Sequence, residues 1–356
     1  MENKNIAIIQ ARMGSTRFPG KSMIKISNKP LIWHVIYRLK QSKKISKVYL
    51  ATSISPENDV LETYASKLGA EVFRGSEEDV FSRFENIIQK TKPSTITRVC
   101  GDCPLIDVSY IDRVIDVIEQ ECVDYVKADK EKSIHQGIDI VSINLFNKIL
   151  PFKEDPIIKE HVFSFNNLQL NSIKIGSILL EDYEYGIDAR LSIDTPSDLK
   201  FIRMLYSNCN AKAGKLDPND FVQEIKNNPQ LTRINCHVHQ KAADQKTSRI
   251  NFLYTEKLAS SMFTLARQYV EYDGIGVRFI VKKNMKKKLI IKNNGIGVLN
   301  YRNERELKDI IKTGTSDFLI GELLPKETLS KMKLKAHSFL EGSLVKYEHV
   351  NSSITK

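Results

Sequence analysis

The stretch Ile8-Ile-Gln-Ala-Arg-Met-Gly-Ser-Thr-Arg-Phe-Pro-Gly-Lys21 joins a short apolar strand, Asn5 to Gln10, to a loop that holds two glycines and ends on a lysine. A triphosphate needs clustered backbone N–H donors and fixed positive charge. Gly14 with Ser15 and Thr16 offers the donors, and Arg12, Arg17 and Lys21 offer the charge. Arginine suits two-point contact with phosphate oxygens, whereas lysine is a compact point charge suited to a leaving pyrophosphate. The run is not a Walker loop, because Gly14 and Gly20 enclose five residues and the Gly-x4-Gly-Lys-Ser/Thr form is not met.

Outward from this loop, apolar periodicity predicts a helix over Pro30 to Gln41, a strand over Lys47 to Thr52 and a helix over Asp59 to Leu68. A strand at Glu71 to Arg74, a helix at Glu78 to Thr91, a strand at Thr95 to Cys100 and a helix at Val108 to Glu121 follow. Strands alternating with helices imply an α/β fold with a mostly parallel sheet covered on both faces. After Asp124 to Val126 the alternation loosens, and Ile134 to Tyr185 mixes short strands with loops, a common place for an acceptor pocket. Arg190 to Asp194 reads as a return strand and Ser197 to Tyr206 as a helix, while Ser207 to Pro229 is polar with Pro218 and Pro229 as breakers.

The domains expected are 1–235, a linker over 236–248, and a smaller α/β unit over 249–356. In that unit, strands are expected at Arg249 to Tyr254, Val277 to Val281, Gly297 to Tyr301 and Asp317 to Ile320, with helices at Glu256 to Tyr272 and Glu304 to Lys312.

The formal charge of +11 is not spread evenly. Residues 1–240 hold about 32 basic and 31 acidic side chains, and residues 241–356 about 22 and 12. No aromatic residues interleave the cluster Lys282, Lys283, Lys286, Lys287, Lys288 and Lys292 as stacking platforms would, so it reads as a solvated face and no nucleic acid is expected. Five cysteines at irregular spacings do not suggest a disulfide framework. Cys100 and Cys103 lack a second pair nearby, and neither they nor Cys236 with His237 and His239 read as a metal or redox centre. With no long apolar core at the amino terminus and no apolar run of spanning length, the expectation is a cytoplasmic protein without a membrane span.

The run QARMGSTRFPGKSM resembles the opening motif of the cytidylyltransferase family that includes spore-coat polysaccharide biosynthesis protein F. It is more distantly similar to the 3-deoxy-manno-octulosonate and acylneuraminate cytidylyltransferases. Further matches fall in order: FRGSEEDVFSRF (Phe73 to Phe84), RVCGDCPLID (Arg98 to Asp107), HQGIDIV (His135 to Val141), KEHVFSF (Lys159 to Phe165) and DARLSIDTPSDLKFIRMLY (Asp188 to Tyr206). The resemblance implies a Rossmann-like sheet of the nucleotide-diphospho-sugar transferase type, CTP as donor, Mg²⁺ as assistant and a homodimer. It implies nucleotide contacts at Ala11, Arg12, Gly14, Ser15, Thr16, Arg17, Lys21, Arg74, Ser82 and Arg83, with Arg12, Lys21 and Asp102 as catalytic residues. Asp102 and Asp194 take the places of the metal carboxylates, which suits a cation held by one or two carboxylates plus phosphate oxygens. Asp139, Glu160 and His161 fall on the acceptor side. Val141 departs from the family pattern, in which a glutamate is common.

The implied reaction joins CMP to an acidic sugar of the ulosonic-acid type with release of pyrophosphate, for surface glycan biosynthesis. A phosphonate or phosphorylated acceptor, already ionised, is the alternative. A non-catalytic nucleotide-binding scaffold is the reading of another class, and joint retention of Lys21, Asp102 and Asp194 argues against it. Arg249 to Pro325 is similar to the amino-terminal half of a glycosyltransferase-B-like protein. Because Tyr254 to Met262 reads YTEKLASSM in place of a glycine- and histidine-rich loop, this unit is expected to be non-catalytic.

Overall fold

The computed structural model describes residues 4–236, apart from residues 16, 131, 132, 166, 167, 169 and 171. Beyond these it describes residues 238, 266, 270 and 303 and six strands. The chain divides into two compact units, one of Met1–Gly14 and Gly20–Cys236, the other of Ser15–Pro19 and His237–Lys356.

The first unit runs β1 (Asn5–Gln10), the two-residue strands β2 (Lys25–Ile26) and β3 (Lys29–Pro30), α1 (Leu31–Leu39), β4 (Ile45–Ser53), α2 (Asp59–Lys67) and β5 (Glu71–Gly75). It continues with α3 (Val80–Thr91), β6 (Thr95–Cys100), α4 (Val108–Glu121), β7 (Tyr125–Ala128), β8 (Ile138–Ser142), α5 (Ile143–Ile149) and α6 (Pro156–His161). It ends with β9 (Ile175–Ile178), α7 (Pro196–Asn208) and α8 (Pro218–Asn227). Seven strands form a mostly parallel sheet in the order β5-β4-β1-β6-β8-β7-β9. β1 pairs in parallel with β4 and β6, whereas β8 runs antiparallel to β6, with Ile138 opposite Val99. The first residues of β8 therefore lie beside the carboxyl end of β6.

Both faces of β1 are buried, as a central parallel strand requires. Ala7 and Ile9 pack with Ile32, Val35, Leu61, Val114 and Ile115 of α1, α2 and α4. Ile6 and Ile8 pack with Phe81, Phe84, Ile87, Leu145 and Ile158 of α3, α5 and α6. Asp79 and Asp107 cap α3 and α4 by accepting N–H bonds from Ser82 and Ser109. Val141, where a family glutamate was the expectation, lies opposite Ile96 and is fully buried among the apolar side chains of the second layer.

Two sequence expectations are corrected. Residues 190–194 form no strand. Their backbone N–H bonds go instead to side chains and to another loop, as described below. Pro218 does not break structure, because it takes the first turn of α8 behind the Asp217 cap, where a missing N–H costs nothing.

In the second unit, five parallel strands and one antiparallel strand form a sheet in the order β12-β11-β10-β13-β14-β15. These are β10 (Arg249–Leu253), β11 (Gly276–Lys282), β12 (Gly297–Tyr301), β13 (Phe318–Ile320), β14 (Lys335–Leu340) and β15 (Ser343–Lys346), two more strands than the sequence suggested. The linker except Cys236 and Val238, the stretch Tyr254 to Met262, the helix read over Glu304 to Lys312, and Lys283, Lys286, Lys287, Lys288 and Lys292 of the lysine cluster lie outside the described residues. So does the helix read over Glu256 to Tyr272, except Ala266 and Val270. Among the described residues no helix is long and apolar enough to cross a membrane.

His34 of α1 is fully buried. Its Nε2–H donates to the Ile26 carbonyl at 2.9 Å, and its Nδ1 accepts the Tyr206 hydroxyl at 3.0 Å. Burial pushes its pKa down to about 4; the Ile26 carbonyl opposes this and the Arg38 charge adds to it. Between about pH 6.5 and about pH 4 the unfolded imidazole takes up a proton that the folded one refuses, so stability falls as pH falls across that window. Denaturant titrations over this range are expected to show the loss, and His34→Gln, which keeps a donor without titrating, is expected to flatten it. An unchanged slope in that variant would contradict the assignment.

Candidate active site

The site is built where β1 and β6 end. Gly101 N–H donates to the Gln10 carbonyl at 2.9 Å, and a Cβ on Gly101 would stand 2.5 Å from that of Ala11, so only glycine lets the two loops approach this closely. The first loop closes on itself through the Gly20 N–H and the Met13 carbonyl at 2.9 Å, with Gly20 in the left-handed region at φ 75°. Asn58 Oδ1 accepts the Met13 N–H and Ser22 Oγ donates to the Arg12 carbonyl, so both flanks of the loop are pinned. Lys21 begins the short turn that follows.

The Lys21 ammonium lies 2.6 Å from Asp102 Oδ2 and 2.8 Å from Asp194 Oδ1. Burial disfavours its charge, yet the two carboxylates hold its pKa above the usual lysine value. Asp102 and Asp194, far apart in sequence, are brought together by the bond from Ile193 N–H to the Asp102 carbonyl at 2.9 Å. Arg190 pairs with Asp194 and, through Nε at 3.1 Å, with Asp198. Two carboxylate oxygens converging on one cation within 2.8 Å form a hard-oxygen donor set, and this fits a divalent ion of the magnesium type.

The other expected residues are placed as follows. Arg12 reaches Glu77 at 2.5 Å and is partly exposed. Thr16 lies outside the described residues. Ser15 accepts the Phe18 N–H within the Ser15–Pro19 segment, which also carries Arg17. Arg74 is engaged by Asp59 and Glu62 of the first turn of α2 and by the carbonyls of Ser53 and Ser55, so the structure does not commit it to the phosphate loop. The Ser82 hydroxyl is likewise taken, by the Asp79 carbonyl.

Arg83 is almost wholly buried beside Gly75, and its Nε has no hydrogen-bond partner among the described residues. Burial lowers its pKa to about 10, and the Arg12 charge acts in the same direction.

Asp139 sits directly opposite Arg98 across β6 and β8 and accepts its Nη1 at 2.5 Å. Gln10 accepts Arg98 Nε at 3.1 Å and turns its amide toward the Glu160 carbonyl at 3.4 Å. Asp139 and Glu160 are thus linked to Gln10 only indirectly, Asp139 through Arg98 and Glu160 through its backbone carbonyl, and His161 ends α6. Sequence reasoning missed Gln10, Arg98, Arg190 and Asp198. The one local signal was Thr195-x-x-Asp198, the capping box of α7.

A second polar cluster joins Asp107, His135 and Glu184, whose ligand-type atoms lie within 4.8 Å of one another. Its acceptors are already filled. Glu184 takes bonds from His135 at 2.9 Å, from Arg113 and from the Glu181 N–H, and Asp107 takes the Ser109 N–H and the Tyr183 hydroxyl. Although burial opposes ionisation, the His135 and Arg113 bonds bring the Glu184 pKa down to about 2. Tyr110 stacks on His135 at 3.6 Å, and the cluster fastens α4 to the loops beside it. Burial pushes the Cys100 thiol up to about 11 and Cys103 further above its ordinary value, which leaves neither as a ready thiolate.

The model of the cytidylyltransferase family matches residues 6–260. The chain is 34% identical over 221 residues to spore coat polysaccharide biosynthesis protein SpsF of Bacillus subtilis, covering 60% of this chain and 89% of that one. It is 34% identical over 125 residues to a 3-deoxy-manno-octulosonate cytidylyltransferase of Thermodesulfovibrio yellowstonii, covering 33% of this chain and 48% of that one. Among solved structures, a cytidylyltransferase from Leptospira borgpetersenii superposes with a TM-score of 0.59 at 27% identity, covering 67% of this chain and 100% of that one.

Proposed function

The chain belongs to the cytidylyltransferase family and is a nucleotidyltransferase, and from this premise we propose that it joins CMP from CTP to an acidic sugar with release of pyrophosphate. The observation that carries the reading is the meeting of Lys21, Asp102 and Asp194 at the carboxyl ends of β1 and β6, where open α/β sheets bind ligands. Kinship with a 3-deoxy-manno-octulosonate enzyme and a spore-coat polysaccharide protein supports an acidic sugar bound for a surface glycan.

The oxygen of an acceptor hydroxyl attacks the α-phosphorus of CTP and gives up its proton to solvent, the bond to the α–β bridging oxygen breaks, and pyrophosphate leaves with that electron pair. Backbone N–H groups beside Gly14 bind the phosphates, and Arg12 and Lys21 neutralise the charge that grows on the leaving group. Asp102 and Asp194 would hold Mg²⁺, which supplies charge neutralisation at the phosphate oxygens and acidifies an acceptor hydroxyl. Asp139, Glu160 and His161 are assigned to the acceptor. No side chain is needed as a base if the acceptor oxygen is already ionised, so a phosphonate acceptor is the second chemistry that the test includes.

Pyrophosphate release is to be measured with each nucleoside triphosphate in turn against acidic sugars, neutral sugars and phosphonates. The expected result is release with CTP and an acidic sugar alone. Release only with a phosphonate would move the acceptor class, and tight CTP binding with no release in any pairing would favour a scaffold.

A further inference from the structure

Residues 188–194 form no strand, so no ladder of backbone bonds holds Asp194 in place. A carboxylate that ligates a metal needs a fixed position, and here side chains provide it. Gln136 brackets position 190, donating to the Ala189 carbonyl at 2.8 Å and accepting the Leu191 N–H at 3.1 Å. The Arg190 guanidinium then divides between two carboxylates, Nη2 to Asp194 Oδ2 and Nε to Asp198 Oδ1.

Asp198 is fully buried. Its Oδ2 accepts the N–H groups of Asp194 and Thr195, each at 2.9 Å, and the Thr195 hydroxyl at 3.0 Å. Asn235 Nδ2 closes the frame by donating to Asp198 Oδ1 at 2.9 Å and to the Arg190 carbonyl at 3.0 Å. One Asp194 oxygen is consequently reserved for Arg190, and the other faces Lys21 Nζ at 2.8 Å.

We propose that Arg190 is a positioning residue that, braced by Asp198 and Asn235, presents Asp194 to the metal as a ligand through one oxygen. The inference rests on the metal reading given above. A lysine at 190 would keep the charge, but its single nitrogen cannot hold Asp194 and Asp198 in the fork that arginine makes.

The test compares the full-length wild type with Arg190→Lys, Arg190→Gln and Asp194→Asn. Binding of Mn²⁺–CTP is followed by water-proton relaxation, binding of CTP without metal by calorimetry, and folding by circular dichroism. Partners that orient metal ligands are worth about 10- to 100-fold in metal affinity, and a weakening of that size is expected in both Arg190 variants. Metal-free CTP binding is expected to hold, which a merely structural role would not allow. Should the glutamine variant fail to fold, the lysine variant decides. Mn²⁺–CTP affinity in a folded Arg190 variant that equals the wild type, while Asp194→Asn loses it, overturns the positioning role alone. Equal affinity in Asp194→Asn overturns the metal reading and the inference with it.

Discussion

Asparagine in place of Asp102 is expected to slow cytidylyl transfer by about 10³-fold, the scale of losing a principal charge-stabilising group at the reacting phosphate. The substitution conserves shape and removes one negative charge. It leaves the backbone of the loop alone: the Gly101 N–H still reaches Gln10, and the Ile193 N–H still reaches the carbonyl of residue 102. Thermal melting is therefore expected to stay within a few degrees of the wild type. Steady-state pyrophosphate release at saturating CTP checks the first part and circular dichroism the second. Unchanged turnover would sink the assignment of Asp102, and loss of the fold would show that the charge balance with Lys21 is structural.

Methionine in place of Lys21 is expected to lower kcat/KM for CTP by about 10²- to 10³-fold, because the phosphates lose a preorganised cation. The same change is expected to move a second measurement the other way. In the ligand-free protein the ammonium offsets Asp102 and Asp194, and without it Asp102 loses its ion-pair partner and Asp194 keeps only Arg190. Mn²⁺ alone, read by electron paramagnetic resonance, should then bind more tightly than to the wild type. Opposite signs in the two measurements identify a lysine that shares the carboxylates with the metal. Weakening of both would show that Lys21 only braces the site.

The strand and loop that lead to Lys21 were legible in the sequence for physical reasons. Asn5 to Gln10 is apolar on both faces, and such a run ending in glycine and lysine has few other uses. The helix Val108–Glu121, with its clean apolar stripe, was found at its true ends, and those at Leu31–Leu39 and Val80–Thr91 within two residues. Arg83 was also legible in hindsight, since it lies three residues from Val80 and four from Ile87 on the apolar side of α3, and a side chain there must be buried.

What failed to show was anything that depends on long-range partners. Residues 190–194 have the look of a strand, but Gln136, Asp102 and Asp198 take their bonds, and no local pattern reveals that. Arg74 matched a family segment by position, yet acids twelve and fifteen residues earlier hold its guanidinium. The convergence of Asp102 and Asp194 on one lysine, across more than ninety positions, is a product of topology alone.

The reversal of β8 has a consequence for how far a change in the site spreads. Lys21 and Asp102 follow segments leaving parallel strands, whereas Asp139 lies on a segment entering a strand that runs the other way. The two are therefore separate stretches of chain that share an edge at Arg98 and Asp139. A change in the run ahead of Ile138 is felt on both sides of that edge, because Gln136 there brackets position 190 and the Gly137 carbonyl accepts the Cys100 N–H.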